Sequence, residues 1–297
     1  MQIRCNNCPR QCNALRSESE NIGGICKSAL LPKIAKVSLH NWEEPCISGT
    51  KGSGTLFFSG CSLKCVFCQN YNISQENFGK RVSTQRLAEI FREIEASGAH
   101  NINLVNPTHY FWAIEQALNI YKPKIPLVYN SGGYDLPENI KKGIFDVYLM
   151  DLKYINNETA FKYSKCDNYT DFAFNAIKAA YELQNEPIFD ENGILQKGLI
   201  VRHLILPQHT NDAIKVIDWF KENTPNAILS IMSQYVPMYK AEEYKTINRQ
   251  ITKREYDKVL NYVSDKKLSH VYTQKRTSSD AKYIPDFNLD GIEKASF

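Results

Sequence analysis

From residue 55 onward, short apolar runs alternate with stretches whose apolar positions recur every three or four residues, the periods of strand and helix. Thr55–Phe58 reads as a strand. Ser83 or Thr84 can cap a helix carrying Leu87, Ile90, Phe91 and Ile94 on one face. A strand over Asn101–Val105 and a helix over Thr108–Tyr121 follow. Leu127–Tyr129 and Val147–Met150 are two more short strands, with a weak helix starting near Pro137 between them. A helix over Tyr169–Gln184, a strongly strand-like run at Gly198–Leu206, a helix over Asp212–Asn223, a strand at Ile228–Met232 and a helix over Thr252–Ser264 complete the series. About six βα units in series predict an α/β fold with a parallel sheet. No GxGxxG turn is present, so closure into a full or partial (β/α)6 barrel is more natural than an open doubly wound sheet. Residues 1–50 show little periodicity. Ser48–Gly54, with three glycines in seven positions, reads as a flexible boundary. The expected organisation is a cysteine-rich segment over residues 1–50 and a core over residues 51–297.

Composition narrows the class. Hydrophobic residues make up 43% of the 297 and charged residues 23%, as in a soluble globular protein and unlike a disordered one. No apolar run approaches the roughly 20 residues of a membrane helix. The polar start, MQIRCNNCPRQCN, lacks the apolar stretch of a secretory signal, so a cytoplasmic location is expected. Thirty-six basic residues against 32 acidic give a net charge of +4, which does not predict nucleic acid as a partner.

Cysteine is the informative residue. The nine fall into two tight groups, Cys5, Cys8, Cys12 and Cys26, then Cys61, Cys65 and Cys68, with Cys46 and Cys166 apart. An odd count in a reducing compartment argues for metal rather than disulfides. Cys61, Cys65 and Cys68 stand as Cys-x3-Cys-x2-Cys directly after the first strand. Structural zinc and a cubane [4Fe–4S] cluster each ordinarily take four ligands. Three thiolates in one turn therefore leave a position open for a substrate to coordinate. Zinc completed by a distant histidine, or redox thiols, remain open from spacing alone.

The run Gly54–Ser74 (GTLFFSGCSLKCVFCQNYNIS) resembles the cluster loop of the radical S-adenosylmethionine (SAM) superfamily, including the aromatic Phe67 before the third cysteine. Leu63–Asn70 is closer still to activating enzymes of glycyl radical proteins, of which the pyruvate formate-lyase activating enzyme is the best known. Tyr129–Tyr134 (YNSGGY), Tyr148–Lys153 (YLMDLK) and Val201–Pro207 (VRHLILP) resemble further segments of those activators. The resemblance implies a barrel of radical SAM type and a [4Fe–4S] cluster on Cys61, Cys65 and Cys68. It also implies reductive cleavage of SAM to methionine and a 5′-deoxyadenosyl radical. The radical would abstract hydrogen from a glycine of a partner protein, with flavodoxin or ferredoxin as electron donor. A maturase acting on another peptide, a small molecule or RNA is the alternative enzyme. A zinc-binding, non-enzymatic module is the alternative of another class.

Within that resemblance Phe67 would lie against the adenine, and Asn130, Ser131 and Gln234 fall on segments that meet SAM. Asp151 and Lys153 flank Leu152, so on extended backbone they point to one side; they orient SAM or a substrate peptide, or form a strand-end ion pair. Arg202 sits inside an apolar strand, where an unpaired charge is costly. The SAM carboxylate or a structural salt bridge would satisfy it, while His203 faces the other way as a packed residue. The activators' Gly-Gly-Glu segment after the second strand is missing, since residues 103–110 read NLVNPTHY; Asn106 or Thr108 is the expected substitute acceptor for the SAM amino group. Four motifs, Cys61–Cys68, Asn106–His109, Asn130–Gly133 and Asp151 with Lys153, each fall at the C-terminal end of an expected strand, the rim where barrels carry active sites. Cys5, Cys8, Cys12 and Cys26 make a possible second site for zinc or an iron–sulfur cluster, outside the resemblance. Cys46 is a spare ligand, and Cys166 a buried apolar residue.

Overall fold

A computed structural model describes residues 2–274 and 285–294. Three short strands, β1 (Gln2–Cys5), β2 (Ala14–Ser17) and β3 (Asn21–Ile22), form a small antiparallel sheet. The large sheet contains β4 (Lys33–His40), β5 (Ser53–Phe58), β6 (Lys80–Arg81), β7 (Ile102–Val105), β8 (Leu127–Ser131) and β9 (Val147–Asp151). It continues with β10 (Ile188–Phe189), β11 (Leu195–Leu204), β12 (Ile228–Met232) and β13 (Val271–Thr273). Its order is β13-β12-β11-β9-β8-β7-β5-β4-β6, with β10 paired to β11. The run from β5 to β13 is parallel, while β4, β6 and β10 pair antiparallel.

The helices are α1 (Pro45–Ser48), α2 (Tyr71–Ser74), α3 (Thr84–Ala96), α4 (Phe111–Ile120), α5 (Pro137–Ile140), α6 (Asn157–Ser164), α7 (Tyr169–Leu183), α8 (Thr210–Asn223) and α9 (Lys253–Lys266). Apolar faces of α3, α4, α7, α8 and α9 cover alternate strand residues such as Leu104, Tyr129, Tyr148, Val201 and Ile231 in one large core. Intervening residues point to the other face, as the strand period requires. There Val128, Val147, Leu149, Ile200 and Ile228 form a second apolar layer, plugged by Cys46 and Ile47 of α1. One step further along the strands this inner face turns polar, at Asn130, Asp151, Arg202 and Ser230. That change of chemistry along one face positions the site.

No hydrogen-bonded ladder joins β13 to β4 or β6 among the described residues, so the barrel is not closed by hydrogen bonds. His40 of β4 and Thr273 of β13 nevertheless line one cavity, which means that the sheet is strongly curled. In the expected flexible boundary at residues 48–54, residues 49–51 form an exposed turn between buried neighbours. Gly52 adopts φ +83° there, and Ser53 and Gly54 already belong to β5. Of residues 1–50, β4 and α1 are part of the large sheet and its inner plug. Among the described residues no helix is long and apolar enough to cross a membrane.

Candidate active site

Cys61, Cys65 and Cys68 occupy the loop between β5 and α2, beyond the C-terminal end of the first parallel strand. The loop is pinned from behind: Lys64 and Val66 donate backbone N–H bonds to the carbonyls of Ser164 (3.1 Å) and Tyr163 (2.8 Å) at the end of α6. Each thiol meets a neutral polar group. Cys61 lies 3.8 Å from Asn106 Oδ1, Cys65 2.9 Å from Ser164 Oγ, and Cys68 3.1 Å from Ser74 Oγ. Burial, followed by the neighbouring thiols, pushes Cys61 up to about 11 and Cys68 up to about 12. As placed, no three Cys, His, Asp or Glu side chains among the described residues converge on a single ion. A cubane cluster offers each thiolate its own iron, so its ligands need not converge on one point. Three thiols without a competing carboxylate, two of them (Cys65 and Cys68) bordering an open space, fit that donor chemistry.

The space is a cavity of about 260 Å³ whose walls include Cys65, Phe67, Cys68, Asn130, Asp151, Lys153, Arg202 and Gln234. Phe67 is buried edge-on against Tyr235 and Tyr163, with ring centroids 5.7 and 6.5 Å away. Asp151 ends β9 and holds two cations, Lys153 Nζ at 2.5 Å and Arg202 Nε at 2.8 Å. Burial opposes the Asp151 charge, but the two cations outweigh it and hold the carboxyl below its usual range. Lys153 likewise stays protonated: burial works against the ammonium, and Asp151 and then Cys65 overcome it. Arg202 also donates to Glu43 Oε2 (3.1 Å) and Asn130 Oδ1 (2.7 Å). Its charge is therefore met by the chain's own side chains, the salt-bridge alternative of the sequence reading.

Several expected residues stand elsewhere. Thr108 donates to Asp135 Oδ1 at 2.6 Å, and Ser131 to Asp135 Oδ2 at 2.5 Å. With Tyr129, also on Asp135 Oδ1, they satisfy a buried carboxylate and border neither cavity of the inner face. Asn106 sits in the left-handed region at φ +60° and donates to Gly60 O (2.5 Å), bracing the loop beside Cys61. His203 is packed, with its Nδ1 against Leu152 O.

Sequence reasoning missed Glu43 and Glu44. The chain between β4 and α1 crosses the inner face, and Glu43 Oε1 accepts from both Asn103 and Asn130 at 3.2 Å. Nothing local announces this. The one available signal is Pro45-Cys46-Ile47, an apolar turn too short for a surface helix.

The small sheet backs the cluster loop. Arg10 Nε donates to Ser62 O (2.8 Å), and Asn139 Nδ2 donates to Asn7 O (3.1 Å). Gly60, at φ +85°, passes so close that a Cβ would lie 2.5 Å from Cys26 O. Cys5, Cys8, Cys12 and Cys26 border one enclosed cavity of about 10 Å³, together with Ser62 and His109. Arg16 Nη1 donates to the Cys5 sulfur at 3.2 Å. His109 is buried, its Nδ1 has no partner among the described residues, and burial lowers its pKa to about 3.

A curled, mostly parallel sheet with a three-cysteine loop on its C-terminal rim defines a class. Residues 55–233 match the model of the radical SAM superfamily, and the chain belongs to that superfamily, whose members work with a [4Fe–4S] cluster and SAM. Among individual proteins it is similar to an uncharacterized protein of Methanocaldococcus jannaschii, at 36% identity over 232 residues. The aligned region covers 74% of this chain and 64% of that protein, just under two thirds of the relative's length.

Proposed function

We propose that this chain is a radical SAM oxidoreductase that abstracts a hydrogen atom from a glycine of a partner protein. The carrying observation is the Cys61–Cys65–Cys68 loop facing the polar ends of β8, β9 and β11 across one cavity. When bound, the cluster and SAM supply one-electron cleavage of the sulfonium to a hydrogen-abstracting radical. The three cysteines would hold the cluster, which requires them to give up their protons. Phe67, backed by Tyr163 and Tyr235, offers SAM an apolar wall that keeps water from the reacting centre. Lys153, Arg202, Asn130 and Gln234 offer fixed donors, and Asp151 holds the two cations in place. Asn106 positions the loop through Gly60.

The glycine target is supported by the likeness of residues 63–70, 129–134, 148–153 and 201–207 to glycyl radical activators. A flavodoxin or ferredoxin would deliver the electron. A glycine-containing peptide of the right partner, deuterated at that glycine, should transfer label to 5′-deoxyadenosine and leave an organic radical visible by electron paramagnetic resonance. Transfer from a small metabolite or RNA, with none from glycine, would replace the activase by another radical SAM maturase. Family membership favours both over a zinc-only module.

The four N-terminal cysteines are proposed to hold their own metal, zinc or a second iron–sulfur cluster, as the domain of residues 1–50 was expected to do. Their shared cavity and the unpartnered His109 Nδ1 beside it support this reading. The metal would stiffen the surface that Arg10 presses against the cluster loop. Metal analysis of the full chain carrying Cys61→Ala, Cys65→Ala and Cys68→Ala tests it: retained zinc or iron supports the site, and a metal-free protein refutes it.

A further inference from the structure

A second cavity, of about 360 Å³, opens off the first and shares Glu43, Arg202 and Gln234 with it. Among the described residues no cysteine borders it; its own walls include Glu44, Ser230, Tyr272 and Gln274. The volume lies in the range of about 300–1,000 Å³ typical of small-molecule sites. Because no cysteine borders this chamber among the described residues, it lies to the side of the wall on which a cofactor at Cys65 and Cys68 would be held.

The chamber's chemistry is lopsided. Glu44 is 8% exposed, and one of its carboxylate oxygens is buried without a partner among the described residues. An unsatisfied buried acceptor is costly and marks a place for an incoming donor. The guanidinium of Arg202 hydrogen-bonds Asp151, Glu43 and Asn130 instead. Counting the inner wall, three acids (Glu43, Glu44 and Asp151) face two bases (Arg202 and Lys153). His40, on the same wall, adds no charge at neutral pH because burial lowers its pKa. A cationic nitrogen here would pair the free Glu44 oxygen and favour the charged carboxylate that burial alone resists, whereas an anionic ligand would add to the acids of the wall.

We propose that this chamber receives the substrate, and that the group it takes is a cationic nitrogen, an ammonium or guanidinium, seated on Glu44. The inference rests on reading the adjoining cavity as the radical centre. For a protein target, it requires a lysine or arginine close to the reacting position. For a small molecule, it requires an amine.

The test uses the full chain without SAM or iron. Binding of n-butylammonium, 1-pentanol and butyrate is followed by ligand-observed nuclear magnetic resonance. The ammonium should bind, and the alcohol and the anion should not. Glu44→Gln should weaken the ammonium by about tenfold or more, the scale of one charged hydrogen bond. Thr273→Trp, which fills the chamber from the exposed end of β13 and leaves Glu44 in place, should abolish binding and shows the effect if Glu44→Gln fails to fold. Equal binding of ammonium and alcohol, or unchanged ammonium binding in either folded variant, overturns the proposal. Such a failure leaves the radical SAM reading standing. Loss of SAM cleavage with ammonium binding intact would strike that reading alone.

Discussion

Replacing Arg202 by methionine removes a guanidinium that makes three hydrogen bonds on the inner face, to Asp151, Glu43 and Asn130. The side chain is 13% exposed, and so are its two acids, at 13% and 12%, so solvent screens them little. Removing one partner of a buried pair costs about 3–5 kcal/mol, because the other charge is left uncompensated. Here neither acid is left bare: Asp151 keeps Lys153, and Glu43 keeps the Asn103 and Asn130 amides. Methionine also preserves most of the stem's packing. The lower end of the range applies, about 3 kcal/mol, which at about 2 °C per kcal/mol for a chain of this size lowers Tm by about 6 °C. Urea unfolding of the purified chain, followed by circular dichroism, measures the free-energy loss, and a thermal scan measures the Tm. Glu43→Gln combined with Arg202→Met should recover part of the loss, since the double variant leaves one anion fewer without its guanidinium. A single variant within about 0.5 kcal/mol of the parent would show that these charges do not hold one another, and that the arginine serves a bound ligand alone.

Gly133 sits at φ +76°, with Asp151 O only 2.1 Å from where a Cβ would stand. Gly133→Ala should therefore cost about 2 kcal/mol or more in the same unfolding assay, and a neutral result would contradict the close approach of β8 to β9. Glu44 titrates in the opposite sense from Asp151: burial raises its pKa above the ordinary 4.5, with Arg202 opposing and Glu43 adding to the rise. The folded chain then retains a proton that the unfolded chain gives up, so this group costs stability as pH rises above about 4.5. Glu44→Gln should consequently gain stability relative to the parent between pH 5 and pH 8; parallel stability curves would refute the shift. Asp151, held below its usual range, contributes fully at neutral pH and loses that contribution only as pH falls below about 4. Asp151→Asn should flatten the acid limb.

The repeating units were legible because their periodicity is local. The expected helix over Tyr169–Gln184 is α7, ending one residue earlier, and Thr252 caps α9 in a capping box with Glu255. The helix expected from Thr108 begins with a tight three-residue turn and becomes α-helical at Phe111, because Thr108 is drawn off to Asp135. The strand expected at Gly198–Leu206 starts at Leu195, where it pairs with β10, and ends at Leu204. β4 and β13 were not recognised. β13 has only three residues, and β4 lies among cysteines and turns that hide its alternation. The three-cysteine loop was legible because its cysteines fall within eight residues. Its polar counterpart was not: Glu43 meets Arg202 across 159 positions of sequence, and such a contact leaves no local pattern. Asn106 and Thr108, adjacent in sequence but for one proline, parted because the left-handed turn at Asn106 sends one to the cluster loop and the other to Asp135.

The central claim is that the Cys61–Cys65–Cys68 loop builds a centre that cleaves SAM. Anaerobic reconstitution of the full chain with iron and sulfide, followed by SAM and a strong reductant, tests it through the yield of 5′-deoxyadenosine. The account predicts product from the parent chain and none from Cys65→Ala. A parent chain loaded with iron and sulfide that yields no 5′-deoxyadenosine, or a Cys65→Ala variant that yields as much, would contradict it.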